Sequence, residues 1–262
     1  MLAPKPRTQN LSHLHSYLSE GLAASNLPPV PSPLSPPKPV DPERRAASTI
    51  FSACVLAFAG GSLDAFLYLN HDKVFAGAMT GNAVLAGIAL LSHDHYEALH
   101  HLLPLVGFVL GVWGARELDC HVGRHAVLIG LSTEIAVLFV ASWLPLTFPD
   151  NLFIFVVTIV CAYQVASFRT VDKYTYNSTF ITGNLRQAIS ALHTAAHEGR
   201  RSEAIGEFRD LGGIIVCFVL GAVCGAVLAP HAGNRTLWLP LTALVVILIR
   251  AVRGDLYAGP EK

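Results

Sequence analysis

From Ala46 onward the chain is a succession of long apolar runs separated by short polar breaks. Because about 20 apolar residues suffice to cross a bilayer core as a helix, this alternation restricts the fold more than any motif does. In hydrocarbon every backbone amide must be satisfied internally, so such runs fold as helices. Six qualify, at 46–69, 102–118, 125–144, 151–169, 211–229 and 236–252. Composition agrees, with 52% hydrophobic and only 14% charged residues, too oily for an ordinary soluble domain. The sequence predicts an all-α, multi-pass membrane protein in contact with the lipid bilayer.

Residues 1–45 are of another kind. The stretch "NLPPVPSPLSPPKPVDP" at 26–42 holds eight prolines, which lack amide donors and favour extended polyproline II. It is expected to be a disordered, Pro-rich cytosolic tail. Within it, Pro33, Pro36 and Lys38 fit the PxxP-plus-cation pattern taken by SH3-type grooves. The N-terminus shows no apolar signal-peptide core, so the first span is expected to direct insertion. Residues 254–262 form a short C-terminal tail.

Two further segments, 74–92 and 178–195, are shorter or more polar, and each contains Thr-Gly-Asn: Thr80-Gly81-Asn82 and Thr182-Gly183-Asn184. Charge decides between spanning and non-spanning, because Lys and Arg gather in short cytoplasmic loops. With six spans and a cytoplasmic N-terminus, all 18 Lys and Arg except Lys73 and Arg235 lie on the inner side. If both Thr-Gly-Asn segments cross, that asymmetry shrinks and Arg186 is placed in the membrane. The expectation is six spans and two short elements that dip in and return.

An offset of 102 residues superposes the two Thr-Gly-Asn segments, and an offset of 110 superposes Phe108-Val-Leu-Gly111 on Phe218-Val-Leu-Gly221. The order in each half is span, Thr-Gly-Asn segment, Gly-rich span, third span. Three spans is an odd number, so the second half (151–252) is expected to be inverted relative to the first (46–144), together forming one domain over 46–253. In copy one the chain is expected to turn at Gly77 to Gly81 and return as a short helix from Asn82 to Leu91. Thr80, Asn82, Thr182 and Asn184 would cap these broken or re-entrant helices, whose positive ends would suit an anion or a small polar solute. The other reading is that Thr-Gly-Asn merely caps two tightly packed helices.

Ionisable residues at lipid depth are costly and point to function. Asp64, in "FAGGSLDAFLYL", is the first candidate, as a proton or cation carrier or as a partner for Arg186; a purely structural buried Asp is the alternative. Glu134, in "LSTEIAVLF", is the second. The candidate substrate-binding set is therefore Asp64, Thr80, Gly81, Asn82, Glu134, Thr182, Gly183, Asn184 and Arg186. Gly107-xxx-Gly111 and Gly221-xxx-Gly225 place glycines on one helix face for close packing. No cofactor is expected. The histidines between His93 and His101, the pair His121/His125 and the pair His193/His197 carry no metal signature. Without a dense basic block no nucleic-acid partner is expected. HExxH, GxSxG and P-loop patterns are absent, so the chain is not expected to be an enzyme.

The combination of "GGSLDAFLYL", "VFAGAMTGN", "FVLGVWGA" and "STFITGNL" resembles the YoaK-like family of multi-pass membrane proteins over roughly residues 50–252. The resemblance implies the membrane fold, singles out Gly60, Gly61, Asp64, Thr80, Gly81, Asn82, Thr182 and Gly183, and names no substrate, since that family is largely of unknown function. At Ala166, where an equivalent of Asp64 would fall, the halves differ. Two functions follow as expectations: a transporter or channel for a small polar solute or anion, or a non-transporting scaffold whose Pro-rich tail recruits partners.

Overall fold

A computed structural model of the protein describes residues 49–168, 170–171, 174–197 and 201–253. The Pro-rich tail, its PxxP pattern and the C-terminal tail lie outside the described residues. Among these residues the chain forms eight α-helices: α1 (Ile50–Asn70), α2 (Met79–Leu91), α3 (His95–Val122), α4 (Ala126–Trp143), α5 (Asp150–Ser167), α6 (Ile181–His197), α7 (Arg201–Ala232) and α8 (Trp238–Arg253). One antiparallel ladder, Thr170 opposite Thr175 and Val171 opposite Tyr174, lies between α5 and α6.

Five stretches are long and apolar enough to cross a membrane: α1, α3, α4, α5 and Ser202–Arg253. The last contains both α7 and α8, separated by a 3-10 turn at Gly233–Leu237 in which Gly233 adopts φ +55, a conformation that a side chain would strain. The helix α3 begins well before its apolar run and outlasts it, as α7 does at its start. Residues such as Glu97 and Glu203 in the first turns are good helix formers, so the polar ends simply continue the helix out of the oily segment.

Packing follows the glycines. A Cβ on Gly61 or Gly221 would run into the backbone carbonyl of Phe218 or Phe58 across the α1–α7 contact, and one on Gly111 into the carbonyl of Ile159 across the α3–α5 contact. These are extensive helix pairings, and α2 packs on α3 as α6 packs on α7. The helix α8 lies against α1 and α4, and α4 lies against α5. Between them is an apolar core containing Leu56, Leu63, Phe66, Leu131, Leu138 and Phe153.

The faces turned away from this core are also apolar. Along α7, Val216, Leu220, Val223 and Val227 are exposed, and along α3, Val106, Val109, Leu110 and Trp113. Soluble proteins rarely bare contiguous patches of this kind, whereas lipid tails cover them at no cost.

At one end of the bundle the loops are held by a buried polar network. His71, just past α1, is 2.6 Å from Asp150 through Nδ1 and 3.1 Å from Asn234 through Nε2, and its ring stacks on Phe153 at 4.1 Å. The Asn234 amide donates to the Leu144 carbonyl, so His71 ties the end of α1 to the start of α5 and to the Gly233–Leu237 turn, and Asn234 carries the link on to the end of α4. His71→Ala is expected to destabilise the detergent-solubilised protein by about 3 kcal/mol, because Asp150 and Asn234 lose a buried partner together. The exposed His231 is the control: its alanine variant should melt with the wild type.

Candidate functional site

The two Thr-Gly-Asn segments share one local construction. Asn82 is fully buried in the first turn of α2, where its Oδ1 accepts from the Phe75 amide at 2.9 Å and its Nδ2 donates to the Phe75 carbonyl at 2.8 Å. Asn184, in the first turn of α6, does the same to Asn177, at 2.9 and 2.7 Å. Each asparagine thereby satisfies both backbone groups of a residue seven positions earlier, in a segment with no ladder or helix of its own. A carboxamide is well suited here, because it offers a donor and an acceptor side by side without adding charge.

This arrangement corrects the capping expectation. α2 begins at Met79, not Asn82, and its N-cap, Ala78, offers no side-chain bond. Thr80, Asn82, Thr182 and Asn184 all lie inside their helices. Thr80 and Thr182 are exposed, and the asparagines hold the preceding loop rather than the helix end.

The loops so held touch each other. A Cβ on Gly77 would lie 2.7 Å from Thr179 Cβ, and one on Gly60 would lie 3.0 Å from Thr179 Cγ2 and 3.1 Å from the Ser178 carbonyl oxygen. Gly77 and Thr179 are themselves 102 residues apart, so corresponding points of the two segments meet beside the middle of α1.

Asp64 lies one turn beyond Gly60 on α1. Its Oδ1 accepts from the Gly77 amide at 2.7 Å, while its Oδ2 is buried without a partner among the described residues. In the second segment the corresponding amide, that of Thr179, is taken at 3.0 Å by Asn177 Oδ1, which also accepts from the Thr179 hydroxyl. A local Asx turn therefore does for the second segment what the Asp64 carboxylate does for the first. The second loop has no need of a second aspartate, and the small Ala166 stands where one would fall.

Glu134, on α4, is 1% exposed, and neither carboxylate oxygen has a partner among the described residues. On the neighbouring α5, the Thr158 hydroxyl and the Gln164 amide nitrogen are also buried without partners there. Arg186 lies on the exposed side of α6 and forms no ion pair with Asp64 among the described residues. Of the sequence-derived residues, the structure brings together Asp64, Asn82 and Asn184 around the touching loops; Gly81 packs against the Phe75 ring, Gly183 has open space where a side chain would be, and Arg186 and both threonines face outward. The parts played by Gly77, Phe75, Asn177 and Thr179 escaped the sequence reading, although extending the 102-residue offset backward from Thr-Gly-Asn pairs Phe75 with Asn177 and Gly77 with Thr179. Among the described residues no three His, Cys, Asp or Glu gather as a metal site.

Long apolar helices with apolar outer faces, glycine-mediated crossings and buried carboxyls at their centre define an integral, multi-pass membrane protein. The chain belongs to the family described as protein of unknown function (DUF1275), which it matches over residues 52–250. It is similar to the UPF0700 transmembrane protein YoaK of Bacillus subtilis (strain 168), with 24% identity over 205 residues, covering 75% of this chain and 91% of that protein. No solved structure matches it.

Proposed function

We propose that this protein is a non-enzymatic transporter or channel for a small polar solute or anion, built as two inverted repeats of three spans with a re-entrant Thr-Gly-Asn helix in each. The observation that carries the reading is the meeting of Gly77 with Thr179, corresponding loop residues, beside a carboxylate with an uncommitted oxygen. Reciprocal packing supports the repeat: α1 lies on α7 as α5 lies on α3, and α1 on α8 as α5 on α4. Irregular backbone at membrane depth is tolerated where it is buried in protein or lines a polar path. Here two such segments converge on one point.

In this reading the helices α7 and α8 cross separately, the N-terminus is cytoplasmic, and α2 and α6 enter from opposite faces. Asp64 positions the first loop through the Gly77 amide, and its second oxygen faces the solute path. Single cysteines at Asp94 and Ser202, in a background lacking the native cysteines, test the geometry with an impermeant thiol reagent. Labelling from outside at position 94 alone is expected; equal labelling of both positions would remove the inverted arrangement.

Flux tests the function. Proteoliposomes holding the full chain should shrink and re-swell with at least one class of small polar solute, and Asp64→Asn is expected to slow that flux roughly tenfold or more while the protein still inserts. Deleting residues 1–45 should leave flux intact. A phenotype that follows the tail and ignores Asp64→Asn would instead favour a scaffold.

A further inference from the structure

The two copies differ in one respect that the repeat does not require. Beside the second loop is a cavity of about 350 Å³ whose lining includes Phe108 and Arg116 of α3, Ala166 of α5, Phe180, and Gly183 and Gln187 of α6. Ala166 is the residue that the 102-residue offset pairs with Asp64. Where copy one has a buried carboxylate, copy two has open volume.

The lining chemistry is one-sided. Among the described residues Arg116 has no ion pair and Gln187 no side-chain hydrogen bond, so both donors are free to face the cavity; no Asp or Glu lines it. The asparagines at its edge are committed to the loop, Asn184 to the Asn177 backbone and Asn177 to Thr179. An uncompensated guanidinium in a concave site favours a planar anion, which it can hold with two parallel hydrogen bonds. Beside it, Val112 and Phe108, one and two turns back along α3, join Val165 and Phe180 in giving the cavity apolar walls, with Thr175 and Tyr176 completing the lining. A bare inorganic anion would leave those walls wasted.

The geometry points to a binding site for a small carboxylate with an apolar body, the carboxylate on Arg116 and Gln187 and the body against the aromatic wall. This assignment rests on the transport reading above and names the class of solute.

The test uses the full chain in phosphatidylcholine nanodiscs, titrated calorimetrically with sodium butyrate and sodium benzoate at constant ionic strength. Saturable binding of at least one acid is expected, weakened roughly tenfold or more in Arg116→Gln and in Ala166→Asp, and unchanged in Arg235→Gln at the other end of the bundle. Should Ala166→Asp fail to fold, the exposed Arg116 still decides the matter, since its removal leaves no buried group unpaired. Absence of binding to both acids, or binding that ignores Arg116→Gln, overturns the assignment. So does a result in which only added phosphatidylglycerol stabilises the protein through Arg116, because the anion is then a lipid headgroup. Flux separates the two readings. Arg116-dependent binding without flux keeps the site and removes transport, while carboxylate flux indifferent to Arg116→Gln keeps transport and removes the site.

Discussion

Gly221→Val and Gly111→Val are expected to leave almost no folded protein in the membrane. At both positions the new Cβ meets a main-chain carbonyl of the partner helix, of Phe58 and of Ile159 respectively. A flexible side chain could rotate away, but a helical carbonyl can yield only if the whole crossing opens. Overpacking of a close-packed interior typically costs about 1–3 kcal/mol, and a backbone collision at a helix crossing lies at or above the top of that range. Opening the contact also strips dispersion contacts along an entire helix pair without a hydrophobic gain, since lipid is as apolar as the protein. Gly114→Val is the internal control. It lies on the same helix as Gly111, and no atom of a neighbouring element comes within 4 Å of the place its Cβ would take. Detergent-solubilised yield by size exclusion would read the difference, and a Gly111→Val protein as abundant and monodisperse as Gly114→Val would show that α3 and α5 are not held by close backbone approach.

Asn82→Ala and Asn184→Ala are expected to cost about 2–6 kcal/mol each, from two hydrogen-bonding groups stranded at once at roughly 1–3 kcal/mol per group. The stranded groups are the amide and carbonyl of Phe75 or of Asn177, in loop segments with no other regular partner. Asn82→Asp should rescue little, because a carboxylate accepts from the amide but cannot donate to the carbonyl. Thr80→Ala and Thr182→Ala, in the same motif but exposed, should lie within about 0.5 kcal/mol of wild type. Thermal unfolding in detergent measures the series. Threonine variants as damaging as asparagine variants would contradict the loop-holding role. Since Asp64 binds the same first loop through Gly77, Asn82→Ala and Asp64→Asn should be non-additive in stability.

The apolar runs were legible because membrane insertion depends on length and composition, quantities that a sequence states directly. Their boundaries were less so. The polar starts of α3 and α7, with His95 to His101 in one and Arg201 to Asp210 in the other, continue as helix beyond the oily stretch, and hydropathy is blind to that. The importance of Thr-Gly-Asn was also visible, through its repetition, but the role of its parts was not. A threonine or asparagine before an apolar run reads as a cap, yet which backbone group a side chain reaches depends on how the preceding loop folds back.

The same distinction runs through the candidate site. The sequence by itself determined a helical membrane protein with a buried Asp64 and Glu134, a Thr-Gly-Asn segment in each half and glycine-lined helix faces, because burial cost, span length and residue size are properties of local chemistry. Only the tertiary structure decided that Gly77 meets Thr179, that Asp64 takes a loop amide while Asn177 replaces it in the other half, and that Ala166 borders an open cavity beside Arg116. The meeting of Gly77 with Thr179 joins segments about a hundred residues apart in the chain, and the shorter-range choices depend on how each loop folds back, where a shift of one helical turn changes every partner while leaving composition and periodicity unaltered.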